Sequence, residues 1–236
     1  MERKSHKNVI ILINFKNIII NKVNSELWLS WLKKYRAIAV IRSSQKQLGK
    51  QMAQATAAGG MGLIEITWNS DQAPELIAEL RSELPGCLIG TGTLFTIEDV
   101  QKAIGSGAQF LFSPHTNPAM IQVANKAEIP IIPGALSPTE IITAWQAGAS
   151  CVKVFPISSV GGVDYIRSIK GPLGDIPLIP TGGVNLNNAV AFIQAGAIAV
   201  GLAGDLFPPD LIVEQNWVAI AQKTQTLLQQ LSEISA

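Results

Sequence analysis

The sequence predicts an α/β protein, a (β/α)8 TIM barrel preceded by an N-terminal helix. Three observations carry that expectation. Eight short apolar runs recur about every 20–25 residues from Ala37 onward. Helix-length amphipathic segments separate them. Glycine-rich turns of one kind (AAGG, GSGA, QAGA and QAGA) precede the second, fourth, sixth and eighth runs. Strands this short and apolar are buried on both faces, as in a parallel sheet covered by helices, and eight such units close into a barrel. The glycines read as helix C-caps, and their spacing of roughly 45 residues suggests a duplicated unit. A doubly wound open sheet is the alternative. It lacks support because no glycine fingerprint follows the first strand, where the turn reads Ile41-Arg42-Ser43-Ser44-Gln45.

The elements follow in order. Residues 1–24 are rich in Lys, Asn and Ile and contain no Gly, Ala or Pro. They read as an extension outside the domain proper, residues 25–236. Translated upstream sequence behind a mis-assigned start codon, a disordered or β-prone tail, and a targeting or anchoring peptide are the three readings. The run Val9–Leu12 is too short for a secretory core. Ser25 is the expected cap of a first helix, over which Leu27, Trp28, Trp31 and Leu32 have helical spacing. Strands are expected at Ala37–Ile41, Leu63–Thr67, Cys87–Gly90, Phe110–Phe112, Pro130–Ile132, Cys151–Phe155, Pro177–Ile179 and Ala197–Gly201. Helices are expected over Gln45–Ala58, Gln72–Leu84, Ile97–Ser106, Pro118–Lys126, Pro138–Gln146, Val163–Ile169, Leu186–Ala195 and Trp217–Ile234. Trp68, Trp145 and Trp217 read as packing residues, with Trp68 also placed to line a pocket.

Composition narrows the function classes. The chain has 236 residues, 47% of them hydrophobic and 15% charged, which excludes a disordered protein. A net charge of +1 leaves no basic footprint for nucleic acid. The charge is uneven: residues 1–36 carry eight basic and two acidic side chains, so the remainder is mildly acidic. Cys87 and Cys151 lie far apart without CxxC spacing, so neither a disulfide framework nor a zinc site is expected. No cluster of His, Cys, Asp or Glu has metal-ligand spacing, and no metal is predicted. No apolar run reaches the roughly 18 residues of a membrane span, and none is expected to be one.

Polar residues interrupt the predicted strands. Side chains alternate along a strand, so Lys153 shares a face with Cys151 and Phe155 while Val152 and Val154 share the other. With the valines against the helices, Lys153 points into the barrel. Burial disfavours its charge, and a neutral lysine amine is a nucleophile toward ketones. A lysine reaching solvent or paired to a carboxylate is the plainer alternative. Glu65, in line with Leu63 and Thr67, repeats the pattern, and a buried carboxyl with a raised pKa shuttles protons near neutrality. A structural ion pair is the alternative there. Arg42 closes the first strand at the end where barrel active sites form and suits a carboxylate or phosphate. Thr181-Gly182-Gly183 and Gly201-Leu202-Ala203-Gly204 follow the seventh and eighth strands, the usual phosphate site of this fold. Gly90-Thr91-Gly92-Thr93 would leave hydroxyls and amides open to a small ligand, and Pro114 and His115 end the fourth strand at the mouth.

The segments AVIR, AAGGMGLIEITWNS, GTGT, AQFLFSP, PIIPGALSPTE, AGASCVKVFP and PTGGV, in this order, resemble the 2-keto-3-deoxy-6-phosphogluconate aldolase family, class I aldolases of the Entner–Doudoroff pathway. The resemblance covers about residues 26–232. It implies that Lys153 forms a Schiff base with the C2 carbonyl of a keto-acid sugar phosphate and that Glu65 moves the protons. It implies cleavage to pyruvate and glyceraldehyde 3-phosphate, with the protonated imine as electron sink and so no metal or organic cofactor. By the same resemblance Thr93 holds the pyruvate carboxylate, and Phe155 and Pro114 line the pocket. Thr181 lies near the C4 hydroxyl, and Gly182, Gly183, Gly201, Ala203 and Gly204 hold the phosphate. A cytoplasmic homotrimer is implied as well. Three departures stand out. Asn69 replaces a carboxylate-binding arginine, which leaves Arg42 as the substitute. The Asn69-Ser70 pair also resembles the 6-phosphogalactonate branch, and 4-hydroxy-2-oxoglutarate is a further open substrate. Gly204 replaces a serine, and His115 replaces a glycine. A phosphate-binding isomerase or synthase on the same barrel, or a non-catalytic sugar-phosphate sensor, are the more remote readings.

Overall fold

Two indoles on one helical face set the architecture of the lower half of the molecule. In the computed structural model, which describes residues 23–234, helix α1 (Ser25–Tyr35) buries Trp28, Trp31 and Leu32. Those side chains pack among Leu63, Leu88, Phe110, Phe112, Cys151 and Ile179. Trp28 lies 4.8 Å from the Phe110 ring. The helix therefore plugs the N-terminal end of a barrel whose inner face these residues line. Each such fully buried large side chain contributes about 1.5–3 kcal/mol. Asn24, not Ser25, caps the helix, accepting the Leu27 N–H at 2.8 Å. Asn is as good a cap as Ser, and the helix starts where the first suitable carbonyl oxygen falls. Val23 is buried against the same cluster. The remainder of the sequence-defined extension lies outside the described residues.

The chain then alternates as the periodicity predicts. It runs β1 (Ala37–Ile41), α2 (Lys46–Ala58), β2 (Leu63–Thr67), α3 (Ala73–Glu83), β3 (Leu88–Gly92) and α4 (Ile97–Gly105). Next come β4 (Leu111–Phe112), α5 (Pro118–Lys126), β5 (Ile131–Ile132), β6 (Gly134–Ala135), α6 (Pro138–Gln146) and β7 (Val152–Val154). The last elements are α7 (Val163–Lys170), β8 (Leu178–Pro180), α8 (Ala189–Gln194), β9 (Val200–Leu202), α9 (Pro209–Val213) and α10 (Trp217–Ser232). All strand pairs are parallel. One ladder runs β5-β4-β3-β2-β1-β9 and the other β6-β7-β8. β5 and β6 are one stave interrupted at Pro133, which has no N–H to donate. A parallel bridge between Thr181 and Gly201 joins β8 to β9. The ring is thereby closed with eight staves, which excludes the open doubly wound sheet.

Several strands are shorter than expected, because apolar residues at stave ends leave the ladder while staying buried. Helix α9 was not anticipated, since its five residues, Pro209–Val213, are too few to carry a periodicity. Trp145, expected to pack, is 39% exposed on α6. The repeated glycines occupy equivalent places after α2, α4, α6 and α8. Gly60, Gly107, Gly148 and Gly196 all have positive φ, between 88° and 101°, the left-handed turn that closes a helix.

Candidate active site

Alternation along β7 decides where its lysine goes. Val152 and Val154 belong to the core between barrel and helices, Cys151 belongs to the barrel interior, and Lys153 points inward between them. Its side chain is 7% exposed. The Nζ lies 4.7 Å from the centroid of the Phe155 ring and 5.7 Å from that of Phe112. Glu65, at the centre of β2, is 2% exposed. Neither side chain makes a hydrogen bond or ion pair among the described residues, so the alternative of a direct lysine–carboxylate pair is not what the structure shows.

Burial is the largest influence on both groups. It lowers the Lys153 pKa below the usual 10.5. The Glu65 carboxylate opposes that shift and the Arg42 guanidinium reinforces it. Burial raises the Glu65 pKa, opposed by the nearby charges of Lys153 and Arg42. The two titrations are coupled. The barrel thus holds an amine biased toward its neutral, nucleophilic form beside a carboxyl biased toward keeping its proton. Beneath them, burial pushes the Cys151 thiol up to about 12, which leaves it an inert packing group.

Gly92 is the residue that lets Glu65 lie where it does. A Cβ built there would overlap Glu65 Oε1, and would come 2.6 Å from its Cδ and 3.0 Å from Phe112 Cβ. The carboxyl rests directly on the β3 backbone. We expect Gly92→Ala to lower kcat about 100-fold while the circular dichroism spectrum is kept, because small misplacement of a reacting group costs about that much. Native-like turnover would show that the carboxyl has room elsewhere. The sequence marked Gly92 only as a neighbour of two threonines. Of those, Thr91 is not open to a ligand: it is fully buried and donates its hydroxyl to Ile66 O at 2.6 Å. Thr93 is half-buried, with φ 66°, a strained conformation for a β-branched residue and one that clusters at functional positions.

The other predicted residues surround the same C-terminal mouth. Arg42 is exposed just beyond β1. It lines, with Val40, Thr67, Ala203, Gly204 and Phe207, a cavity of about 340 Å³. Asn69 is exposed in the loop after β2, beside Ser70, whose hydroxyl pairs with Thr67 at 3.0 Å. Phe155 and Pro114 are half-buried. A Cβ at Gly134 would overlap the Pro114 carbonyl, so the fourth and fifth staves meet tightly at this rim. His115 is half-buried and stacks on Phe95, with centroids 6.3 Å apart. Thr181 is 8% exposed, and a Cβ on Gly201 would lie 2.6 Å from its Oγ1. Gly182 and Gly183 have φ of 81° and 101°. Ala203 and Gly204 are exposed. Two residues absent from the expected set, Phe112 and Ser158, also border the site. Among the described residues no three His, Cys, Asp or Glu side chains converge as metal ligands, and no helix is long and apolar enough to cross a membrane.

Known proteins share this arrangement of sequence and fold. Residues 29–223 match the family described as KDPG and KHG aldolase. A 2-dehydro-3-deoxy-phosphogluconate aldolase of Treponema pallidum is 32% identical over 84% of this chain and 94% of its own. The KDPG aldolase of Legionella pneumophila, solved with pyruvate captured as a covalent carbinolamine, superposes with a TM-score of 0.78 at 27% identity. That alignment covers 84% of this chain and 97% of the other. A native KDPGal structure follows, with a TM-score of 0.76 and 30% identity over 84% of this chain and 94% of the other. With a parallel eight-stave barrel and a family match spanning most of its length, the chain belongs to the KDPG and KHG aldolase family.

Proposed function

We propose that the protein is a class I aldolase, a carbon–carbon lyase that cleaves 2-keto-3-deoxy-6-phosphogluconate to pyruvate and glyceraldehyde 3-phosphate. The observation that carries this reading is the buried Lys153 amine, without an ion-pair partner among the described residues and with its pKa lowered chiefly by burial. Lys153 Nζ attacks C2 of the substrate. Glu65 relays protons as the carbinolamine loses water to become a protonated imine. Removal of the C4 hydroxyl proton breaks the C3–C4 bond, and the electron pair moves into the imine to form an enamine. The aldehyde leaves, the enamine takes a proton at C3, and hydrolysis returns pyruvate and the free amine. Thr93 and Arg42 hold the carboxylate, and Phe155 and Pro114 form the pocket wall. Thr181 faces the C4 hydroxyl, and Gly182, Gly183, Gly201, Ala203 and Gly204 receive the phosphate. No metal or organic cofactor is required, because the imine itself stabilises the developing carbanion.

Incubation with pyruvate and borohydride, followed by peptide mapping, tests this reading. A reduced pyruvyl adduct on Lys153 supports it, and a folded protein that takes no adduct at saturating pyruvate refutes it. Asn69 favours one second reading, cleavage of the 6-phosphogalactonate epimer, and kcat/KM measured on both epimers decides between them. Because Asn69 is not a cation, Arg42 is the charged side chain left for the carboxylate. Arg42→Ala is expected to weaken pyruvate affinity about tenfold, the scale of a lost hydrogen bond to a charged group. Unchanged affinity would remove Arg42 from that role. The family resemblance supports a cytoplasmic homotrimer, and Phe95 and Ile97, 58% and 40% exposed near the mouth, are apolar area that assembly would cover.

A further inference from the structure

The segment after β7 folds back over the glycine turn after β8. Ile157 N–H donates to Thr181 O at 2.9 Å and Ser158 N–H to Gly182 O at 3.0 Å. These two bonds fix Ser158 against the turn. A Cβ built on Gly183 would lie 2.5 Å from Ser158 Cβ and 2.9 Å from its Oγ, so the hydroxyl sits beside Gly183.

Three features distinguish this hydroxyl from others near the mouth. Three serine hydroxyls near the mouth are engaged: Ser43 donates to Gln45 O at 2.7 Å, Ser70 pairs with Thr67 and Ser113 donates to His115 O at 2.6 Å. Ser158 is exposed, and its hydroxyl has no hydrogen-bond partner among the described residues. The amides of Gly183 and Val184 also donate to no protein acceptor among the described residues. Positive φ at Gly182 and Gly183 puts these free amides in a tight turn, and successive N–H groups in a turn are the kind of backbone that binds anions. Gly204 adds no side chain from the opposite loop, and nothing lies within 4 Å of where its Cβ would be. The nearby Asp205 carboxylate is occupied, accepting the Leu186 N–H at 2.8 Å.

We propose that Ser158 is a specificity-determining residue that donates its hydroxyl to the terminal phosphate of the substrate, completing the cradle formed by the Gly183 and Val184 amides. Path continuity supports the placement. Lys153 Nζ contacts Phe155, whose ring would lie 3.0 Å from a Cβ on Gly182, and Gly183 and Ser158 follow outward. The aldehyde half of a substrate held at Lys153 extends in this direction. The inference rests on the aldolase reading above, and its test separates the two.

The experiment compares Ser158→Ala and Ser158→Thr with the unaltered protein. The substrates are 2-keto-3-deoxy-6-phosphogluconate and its unphosphorylated counterpart. Loss of a hydroxyl donor to a charged acceptor is expected to reduce the phosphorylated-to-unphosphorylated ratio of kcat/KM about tenfold. The change should appear in KM, and the threonine variant should restore it. Inorganic phosphate binding, followed by calorimetry, is expected to weaken by the same factor in the alanine variant. An unchanged ratio, an equal loss on both substrates, or unchanged phosphate affinity overturns the assignment. The phosphate measurement needs no turnover, so it still judges Ser158 if pyruvate trapping were to fail and the aldolase reading with it.

Discussion

Lys153→Ala is expected to abolish both turnover and the borohydride-trapped pyruvate adduct, with kcat reduced on the order of 10⁴-fold or more, as for loss of other covalent nucleophiles. Among the described residues Lys153 is the one buried lysine. Arg42 is a guanidinium, which stays protonated and does not form imines. Lys46 and Lys50 are tied by ion pairs to Glu79, at 2.8 and 2.5 Å, on the outer helices. Lys170 donates to Gly174 O and Ile176 O. Substantial residual trapping would place the nucleophile elsewhere. The variant is expected to fold, because it exchanges a buried amine for a small apolar group next to Phe112 and Phe155. Glu65 then loses one of the two cations that counteract its burial, so its pKa rises further. A circular dichroism melt separates lost chemistry from lost structure.

Much of this arrangement is legible in the sequence, because the barrel's inner face is written with a period of two. Cys151, Lys153 and Phe155 fall on one side of β7, and Leu63, Glu65 and Thr67 on one side of β2. Valine and isoleucine on the other faces mark the side toward the helices. That pattern needs no knowledge of which strands are neighbours. The role of Gly92 does need it. β2 and β3 pair with Glu65 opposite Gly90 and Thr67 opposite Gly92, and only that register brings the carboxyl onto the glycine backbone. Ser158 is hidden for a similar reason. Its place beside Gly183 depends on two hydrogen bonds between loops some 25 positions apart. The split of the fifth stave at Pro133 and the stave-end residues that leave the ladder are not legible, since nothing in the apolar pattern changes there. Thr91 shows the opposite error: a threonine between glycines reads as ligand-facing, but the period of two that places Glu65 inward turns Thr91 onto the helix-facing side of β3, where its hydroxyl is taken by Ile66 O.

Glu65→Gln is expected to lower kcat by about 10²–10⁴-fold, the range for loss of a general acid–base group, while still allowing pyruvate to be trapped at long times. The amide keeps the shape of the carboxyl over Gly92 but neither gives nor takes a proton at neutral pH. The sign of the accompanying pH effect follows from the charges. Ionised Glu65 favours the ammonium form of Lys153 and so raises its pKa, against the lowering by burial and by Arg42. Removing that negative charge lowers the Lys153 pKa further. More free amine is then present at any given pH below the native value. The acid limb of the single-turnover trapping rate, where Lys153 becomes protonated, therefore moves to lower pH even as the limiting rate falls. A limb that stays in place or moves upward would mean that the two groups are not electrostatically coupled. Undiminished kcat would remove Glu65 from proton transfer. A limiting rate and an apparent pKa that fall together would identify one residue acting both as proton carrier and as the charge that sets its neighbour's basicity.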